Sequence, residues 1–346
     1  MEKELSTIGI VGSGKMGLNL FYYLVDFDFQ LILVCETVQQ KDEVIIGFSK
    51  KLNRELKNKL ITEELFQRKL LNACITVELE LLDKCHLIIE AVTEDKIIKQ
   101  QLFSKLLTIV PSECILASNS SSILAYDLGL GGTLIGMHFF YPVSLKNIVE
   151  LMVCERTNPG ITEKAIRFLK TINLKHILLN QEGAFMLNRL FLDFQNEAFR
   201  LKVIHNLSYR EMDDIVTKYF FPVGVFGFFD SVGLDVMLVS IKNYSVFSSG
   251  PQQYRELIEE LAVLTSQGFL GQKTKRGFYS YGTQLFIHAE HVTIDPVIEK
   301  QIYLRLRDCY IQTATTFVEK RICDKATINY AVKEYMGIEK GPFETD

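Results

Sequence analysis

The sequence predicts an α/β doubly wound sheet domain followed by an all-α domain with a partial helical repeat at the carboxyl terminus. Short apolar runs alternate with helical stretches up to residue 182, and beyond it only helical patterns follow. Residues 324–344 also resemble residues 210–230. Alternating strands and helices predict a parallel sheet covered by helices, whereas helices alone must pack on one another.

A strand, a glycine turn and a helix open the first domain. Residues 7–12 are apolar and β-branched, as expected of a strand buried on both faces. The turn Gly12-Ser13-Gly14-Lys15-Met16-Gly17 follows, then a helix over 18–25 and an apolar run that ends at Glu36. The glycine pattern is a weak signal alone, and a structural turn without a ligand is the alternative. Between a strand and a helix, with an acid ending the next strand, it predicts a dinucleotide site in a Rossmann-type domain.

There is a physical reason for a glycine at each of three positions in this turn. Gly12 permits the tight turn, Gly14 lets the backbone approach a pyrophosphate, and Gly17 lets the helix pack on the strand. The diphosphate would then lie at a helix amino terminus, which favours an anion. Glu36 would accept hydrogen bonds from the adenosine ribose and repel the 2′-phosphate of NADP. The sequence therefore predicts NAD as the cofactor.

The remaining elements of the first domain follow the same pattern. Apolar residues at three- and four-residue spacings predict two amphipathic helices within 41–71. Two further helices are predicted over 97–107 and 162–171. Short apolar runs predict five more strands at 86–92, 114–118, 134–138, 148–153 and 176–180.

The second half of the chain is predicted to be helical. Helices are expected at 185–203, 209–220, 232–243 and 252–267, before a glycine-punctuated aromatic stretch, Gly277-Phe278-Tyr279. The predicted domains are therefore 1–182, 183–283 and 284–346. The last would be a partial second copy of the helical domain, because 210–230 and 324–344 share a helix, a glycine turn and a Gly-x-Phe-acid ending. We expect 300–346 to pack on 185–280 and to cover part of a surface used for dimerisation.

Composition excludes several classes of protein. The 346 residues are 48% hydrophobic and 23% charged with a formal net charge of −4, which excludes a disordered chain or a strongly basic nucleic-acid-binding protein. The first residues do not have the pattern of a signal peptide, and the sequence has no apolar stretch of about 18 residues, so neither export nor a membrane partner is expected. Seven scattered cysteines predict reduced thiols in the cytoplasm rather than disulfides. His288 and His291 lack companion ligands, so no metal site is predicted.

A histidine is predicted at the carboxyl end of a strand, the edge where ligands bind in such sheets. His138 lies in the run Met137-His138-Phe139-Phe140-Tyr141-Pro142-Val143, and Glu150 follows twelve residues later. A loop of that length can return a carboxylate to the imidazole, fixing its tautomer and raising its basicity for general-base work. A buried structural histidine is the alternative.

Several motifs together resemble the 3-hydroxyacyl-CoA dehydrogenase family. Besides the glycine turn and the His138 segment, they comprise Ile89-Glu90-Ala91-Val92-Thr93-Glu94-Asp95, Ser118-Asn119-Ser120-Ser121-Ser122, Asn188-Arg189 and Lys273-Thr274-Lys275-Arg276-Gly277-Phe278-Tyr279. They occur in the family's order over residues 7–281. The resemblance implies NAD-dependent oxidation of a (S)-3-hydroxyacyl thioester, with coenzyme A as the expected carrier.

The resemblance also implies roles for individual residues. His138 would be the general base for the 3-hydroxyl, oriented by Glu150. Ser121 and Asn188 would bind around the reacting oxygen and the nicotinamide; without the motifs they would be interpreted as a turn former and a helix cap. The implied cofactor-binding residues are Gly12, Gly14, Lys15, Met16, Gly17, Glu36, Ala91, Glu94 and Lys99, of which Glu94 and Lys99 would contact the nicotinamide-side ribose.

Two departures from the family pattern leave the substrate open. Tyr141 stands where the family commonly has Asn, and the loop between Ser121 and His138 is four residues shorter than usual. Carnitine-like and carrier-protein-bound hydroxy substrates therefore remain alternatives, as does a non-catalytic nucleotide-binding protein. Lysines in the 41–60 region are candidates for coenzyme A phosphates or a solvated face. The chain is expected to be a monomer or a homodimer.

Overall fold

The computed structural model describes residues 5–129, 134–180, 183–245, 251–282 and 294–345. The chain divides into two compact units, 1–184 and 185–346. The second boundary predicted from the sequence, near residue 283, and the histidines at 288 and 291 lie outside the described residues.

The first unit contains one eight-stranded sheet. Its strands are β1 (Thr7–Val11), β2 (Gln30–Val34), β3 (Ala73–Thr76), β4 (Leu87–Glu90), β5 (Ile115–Ser118), β6 (Leu134–Phe139), β7 (Ile148–Met152) and β8 (Lys175–Leu179). They lie in the order β3-β2-β1-β4-β5-β6-β7-β8, and the first six follow the doubly wound order. The predicted α/β fold class is confirmed. The edge strand β3 is not predicted by the sequence, because its side chains are mostly only half-buried.

In the described residues of the first unit, the α-helices that accompany the sheet are α1 (Lys15–Leu24), α2 (Val38–Lys57), α3 (Glu63–Asn72), α4 (Lys96–Ile109) and α5 (Pro159–Thr171). Alternate residues of the central strands enter two separate hydrophobic clusters. Ile89 joins a cluster with residues of α1, α2 and α5, whereas Ile88 joins one with residues of α4. A strand buried on both faces must be apolar throughout, which is why these strands appear as continuous apolar runs in the sequence.

One strand pair breaks the parallel pattern. β6 and β7 run antiparallel, whereas the other strand pairs that the structure describes are parallel. Their connection, residues 140–147, contains no helix and is too short for the crossover that parallel strands need. The chain therefore returns directly beside β6, which places His138 opposite Glu150 in the ladder.

The described part of the second unit is mainly helical, apart from connecting turns and two isolated β-bridges at Gly271–Arg276 and Arg276–Ser280. It contains α6 (Met186–Ile204), α7 (Tyr209–Tyr219), α8 (Val225–Val232), α9 (Leu234–Tyr244), α10 (Arg255–Ser266), α11 (Pro296–Glu319) and α12 (Lys325–Met336). The sequence pattern misses α8, because glycines before and within it lower its helix propensity. Its start is stabilised instead by Asp213, which accepts hydrogen bonds from the backbone N–H groups of Phe226 and Gly227, both at 2.9 Å.

The last helices pack on the first helix of this unit. Phe194 of α6 and Tyr310 of α11 place their ring centroids 5.9 Å apart. Arg305 Nη2 lies 3.0 Å from Glu197 Oε1 between the same two helices. Residues after 294 thus contribute to the hydrophobic core of the second unit.

One local arrangement occurs twice in the second unit. Asp213 in α7 accepts a hydrogen bond from the N–H of Phe226, at the start of the next helix. Asn329 in α12 accepts one from the N–H of Phe343, in the short helical turn that follows, at 3.0 Å. The two contacts are alike in kind, and the partial repeat of the helical domain stays a prediction.

Two further observations concern the described residues only. No helix there is both long and apolar enough to cross a bilayer. In the same parts of the chain, no three histidine, cysteine or acidic side chains come together as a metal-binding group.

Candidate active site

The glycine turn after β1 leaves an open space at the start of α1. Gly12 has φ of 108°, and a Cβ there would lie 2.5 Å from the Ala91 carbonyl oxygen. A Cβ at Gly17 would lie 1.9 Å from the carbonyl oxygen of Gly12. At Gly14, in contrast, an added Cβ would meet no protein atom within 4 Å. The first and last glycines are therefore required by the chain itself, whereas Gly14 keeps clear a space beside the helix amino terminus that suits a diphosphate.

Glu36 lies just beyond β2, next to this turn. Its side chain is exposed, and its backbone N–H donates to Gln40 Oε1 at 3.1 Å. Ser13 Oγ in the glycine turn lies 3.4 Å from the same oxygen. Gln40 thus connects the glycine turn to the segment that carries Glu36, and the residues present fit a dinucleotide.

His138 and Glu150 form a buried pair on β6 and β7. His138 Nδ1 lies 2.9 Å from Glu150 Oε2, and the two residues are 5% and 0% exposed. A carboxylate on Nδ1 favours the tautomer protonated there, which leaves Nε2 as the nitrogen that can accept a proton. The Phe140 ring packs 4.4 Å from the imidazole. The pair has the geometry of an oriented general base.

A serine turn lies beside this pair in the sheet, after β5. Glu94 Oε1 accepts hydrogen bonds from the backbone N–H groups of Ser121 and Ser122 at 3.1 and 2.9 Å. The hydroxyls of Ser120 and Ser122 donate to the same oxygen. Burial alone would raise the pKa of Glu94, but the Lys99 ammonium and these hydrogen bonds hold it below the ordinary value. Glu94 therefore fixes the backbone that presents Ser121.

Beneath this turn lies a buried ion pair between Lys99 and Glu90. Lys99 is 1% exposed and donates to Glu90, which is fully buried at the end of β4. Lys99 Nζ also lies 3.4 Å from Glu94 Oε2. Glu90 further accepts from the Val92 N–H at 2.8 Å and from the Ser118 hydroxyl at 2.7 Å. Enclosed in this way, Lys99 faces carboxylates rather than open space.

The signal for Glu90 is present in the sequence. An acidic residue that ends an otherwise apolar strand must be paired when it is buried, and Lys99 follows on the next helix. Asn119 is a second residue whose role was missed: its Oδ1 accepts from the Phe139 N–H at 2.9 Å. This contact ties the serine turn to the end of the His138 strand.

The predicted site residues are divided between the two units of the chain. All the predicted cofactor-binding residues, together with Ser121, His138 and Glu150, belong to the first unit. Asn188 belongs to the second unit, in the first turn of α6, where Nδ2 donates to Tyr244 Oη at 2.5 Å. Among the candidate coenzyme A lysines, Lys51 is ion-paired with Glu55, and Lys50, Lys57 and Lys59 are exposed.

Two models of known protein families together match nearly the whole of residues 7–281. The model of the 3-hydroxyacyl-CoA dehydrogenase NAD-binding domain matches residues 7–182, and that of the C-terminal domain of 3-hydroxyacyl-CoA dehydrogenase matches residues 184–281. Together they cover well over half of the chain.

Individual proteins show the same similarity. A 3-hydroxybutyryl-CoA dehydrogenase of Bradyrhizobium diazoefficiens is 28% identical over 287 residues, 81% of this chain and 97% of that protein. A glyoxysomal fatty acid beta-oxidation multifunctional protein of Brassica napus is 26% identical, but the matched region spans only 38% of its length.

Solved structures add information about the fold. The (S)-3-hydroxybutyryl-CoA dehydrogenase of Ralstonia eutropha matches with a TM-score of 0.72 and 27% identity, covering 81% of this chain and all of that one. An Escherichia coli 3-hydroxybutyryl-CoA dehydrogenase, 18% identical, matches with a TM-score of 0.83 over 98% of this chain and 90% of its own. The latter similarity extends into the carboxyl-terminal helices, and it shows their fold alone.

Proposed function

This chain belongs to the 3-hydroxyacyl-CoA dehydrogenase family of NAD-dependent oxidoreductases, and we propose that it oxidises a (S)-3-hydroxyacyl thioester of coenzyme A to the 3-oxoacyl thioester. The observation that carries the proposal is the buried His138–Glu150 pair at the carboxyl edge of the sheet, with 2.9 Å between Nδ1 and Oε2. The named relatives that act on 3-hydroxybutyryl-CoA support the substrate class.

His138 performs the proton transfer in this proposal. Its Nε2 takes the proton of the 3-hydroxyl group, while Glu150 holds Nδ1 and stabilises the imidazolium that forms. The glycine turn would hold NAD, which would supply the acceptor for the hydride that leaves C3 of the substrate. The products are the 3-oxo thioester, NADH and one proton, and in the reverse direction His138 returns the proton to the oxygen.

The other predicted site residues would bind the cofactor or orient the substrate. Gly12, Gly14 and Gly17 shape the cradle for the diphosphate, and Glu36 would hold the adenosine ribose. Glu94 sets the turn from which Ser121 would donate to the reacting oxygen. Donors aimed at an oxygen that develops charge stabilise the transition state, which is the role we assign to Ser121. The resemblance to the family also implies a polar role for Asn188.

A steady-state assay tests the proposal. Purified protein is given (S)-3-hydroxybutyryl-CoA and NAD, and NADH formation is followed by absorbance. We expect turnover with the (S) isomer, and a loss of about 10²–10⁴-fold in kcat for His138→Gln. His176→Gln, a histidine replacement on β8 of the same sheet, is the matched control and should retain activity. Unchanged kcat in His138→Gln would overturn the mechanism.

The acyl carrier is a separate question. Tyr141 is bulkier than the Asn that is common in the family and lacks its amide donor, which favours a short or polar acyl group. Carnitine and hydroxyacyl carrier protein substrates belong in the same assay panel. Faster turnover of either than of the coenzyme A thioester would replace coenzyme A in the proposal while leaving the role of His138 intact.

A further inference from the structure

An aromatic residue after the His138 strand contacts the phosphate-binding turn. Lys15 Nζ lies 4.2 Å from the centroid of the Tyr141 ring, within the range of a cation–π interaction. The Tyr141 side chain is 49% exposed. Within the described parts of the chain, Lys15 forms no ion pair and the Tyr141 hydroxyl no hydrogen bond. The ring is therefore the contact that defines where this ammonium lies.

A second contact holds the same segment against α1. Asn19 Oδ1 accepts a hydrogen bond from the Val143 N–H at 2.7 Å, and Val143 is 1% exposed. Asn19 follows Lys15 by four residues, so both side chains lie on one face of α1. The segment after β6 is thus anchored at buried Val143, and Tyr141 extends from that anchor to the first residue of the helix.

The positive charges at the start of α1 favour a bound anion. Lys15 is the first residue of α1, where the helix dipole is positive and a cation is disfavoured. The open space at Gly14 lies next to it in the chain. A dinucleotide diphosphate bound there would bring negative charge to the helix terminus and to the ammonium together. The negative face of the tyrosine ring keeps Lys15 nearby.

We propose that Tyr141 is a positioning residue for the cofactor: its ring holds the Lys15 ammonium where it binds the diphosphate of NAD. The two residues, called here the Lys15–Tyr141 clasp, join the phosphate-binding turn to the end of the catalytic strand. The proposal rests on NAD binding at this turn. An Asn at position 141, common in the family, offers no aromatic face, so the clasp is a property of this chain.

Ligand affinity tests the clasp without turnover. Dissociation constants for NADH and for ADP-ribose, which keeps the diphosphate but lacks the nicotinamide, are measured by fluorescence and calorimetry. The proteins are the wild type, Tyr141→Leu, Lys15→Met and the double variant, with Tyr141→Phe as the matched control that keeps the ring. Unchanged thermal midpoints establish that the variants fold, as expected of exposed positions.

We expect Tyr141→Leu to weaken both ligands about two- to fivefold, the range of an exposed cation–π contact. Lys15→Met should weaken both at least as much, and the double variant should be no weaker than Lys15→Met alone. Tyr141→Phe should stay within about twofold of the wild type. Unchanged affinity in Tyr141→Leu, additive losses, or a loss confined to NADH would each overturn the clasp. Wild-type protein that binds neither ligand would overturn the cofactor assignment itself.

Discussion

His138 and Glu150 face each other across the antiparallel strands β6 and β7, and 2.9 Å separates Nδ1 from Oε2. The direct return of the chain after β6 produces this relationship, because a parallel crossover would have placed another segment beside His138. Both side chains are buried, so the pair is shielded from water. Protein dipoles and charges act more strongly on each other in such a setting than in solvent.

Glu150→Gln is predicted to reduce kcat by about 10²–10⁴-fold. The amide has nearly the shape of the carboxylate but cannot stabilise an imidazolium, and its NH₂ group favours the wrong imidazole tautomer. The affinity for NADH should stay within about twofold, since the cradle is untouched. The measurement is kcat by NADH absorbance together with NADH titration. Glu155→Gln, an exposed glutamate just beyond β7, serves as control, and a Glu150→Gln enzyme with near wild-type kcat would contradict the assignment.

Gly14→Ala is predicted to weaken NADH binding without changing the stability of the protein. A Cβ at Gly14 meets no protein atom, so the free energy of unfolding should change by less than about 0.5 kcal/mol. The same methyl group would intrude on a diphosphate, and NADH affinity should fall by about tenfold or more. Gly12→Ala is the contrasting variant, because φ of 108° and the Ala91 carbonyl oxygen should cost about 1–3 kcal/mol of stability. Urea unfolding and NADH titration measure the two effects.

These elements also show how far the sequence predicts the structure. Local patterns suffice for every described strand except β3, for the glycine turn and for the approach of Glu150 to His138, because each depends on neighbouring segments. The ion pair between Glu90 and Lys99 is a tertiary contact between a strand end and a helix. The sequence shows that a buried Glu90 needs a partner, but composition and periodicity do not identify Lys99 as that partner. The contact between Lys15 and Tyr141 joins residues that are still farther apart along the chain.

Helix α8 shows a second reason why part of the structure could not be predicted from the sequence. Its intrinsic propensity is low, and the carboxylate of Asp213, a side chain from the preceding helix, stabilises its first turn. Tertiary hydrogen bonds thus override the local preference. Burial raises the pKa of Asp213 more than its hydrogen bonds lower it.

Glu94 is predicted to make the stability of the protein depend on pH near its titration range. Its pKa in the folded protein lies below the ordinary value of 4.5. The carboxylate therefore contributes stability that is fully present above about pH 4.5 and is lost as the pH falls through the folded pKa. Glu94→Gln should show a shallower loss of unfolding free energy with falling pH, measured by urea titrations across this window.

The matched control for Glu94 is Glu80→Gln, which changes an exposed glutamate. It should reproduce the wild-type pH dependence. Glu94→Gln should also lower kcat, because the amide cannot accept all the hydrogen bonds of the serine turn as a carboxylate does. An identical pH slope in Glu94→Gln and the wild type would show that this carboxylate is not held in its charged form by Lys99 and the serines.

Tyr310→Phe is predicted to stabilise the helical unit. Tyr310 is 1% exposed, and its hydroxyl has no hydrogen-bond partner in the described parts of the chain. Burying an unpaired hydroxyl costs about 1–3 kcal/mol, so its removal should raise the free energy of unfolding by about 1 kcal/mol. Tyr310→Ala removes the ring that packs against Phe194 and Phe221, and it should cost about 3–5 kcal/mol.

The solution mass of the same variants tests a prediction about the carboxyl-terminal helices, the partial second copy of the helical domain. We propose that α11 and α12 cover part of the surface through which single-copy helical domains pair. Val297→Ala, at an exposed position of α11, is the control and should change neither stability nor mass. Tyr310→Ala loosens the attachment of α11 and should increase self-association, seen as a concentration-dependent rise in mass by light scattering. A wild-type dimer formed through the face of α6 that α11 covers would refute the proposal, because that face is occupied within the chain.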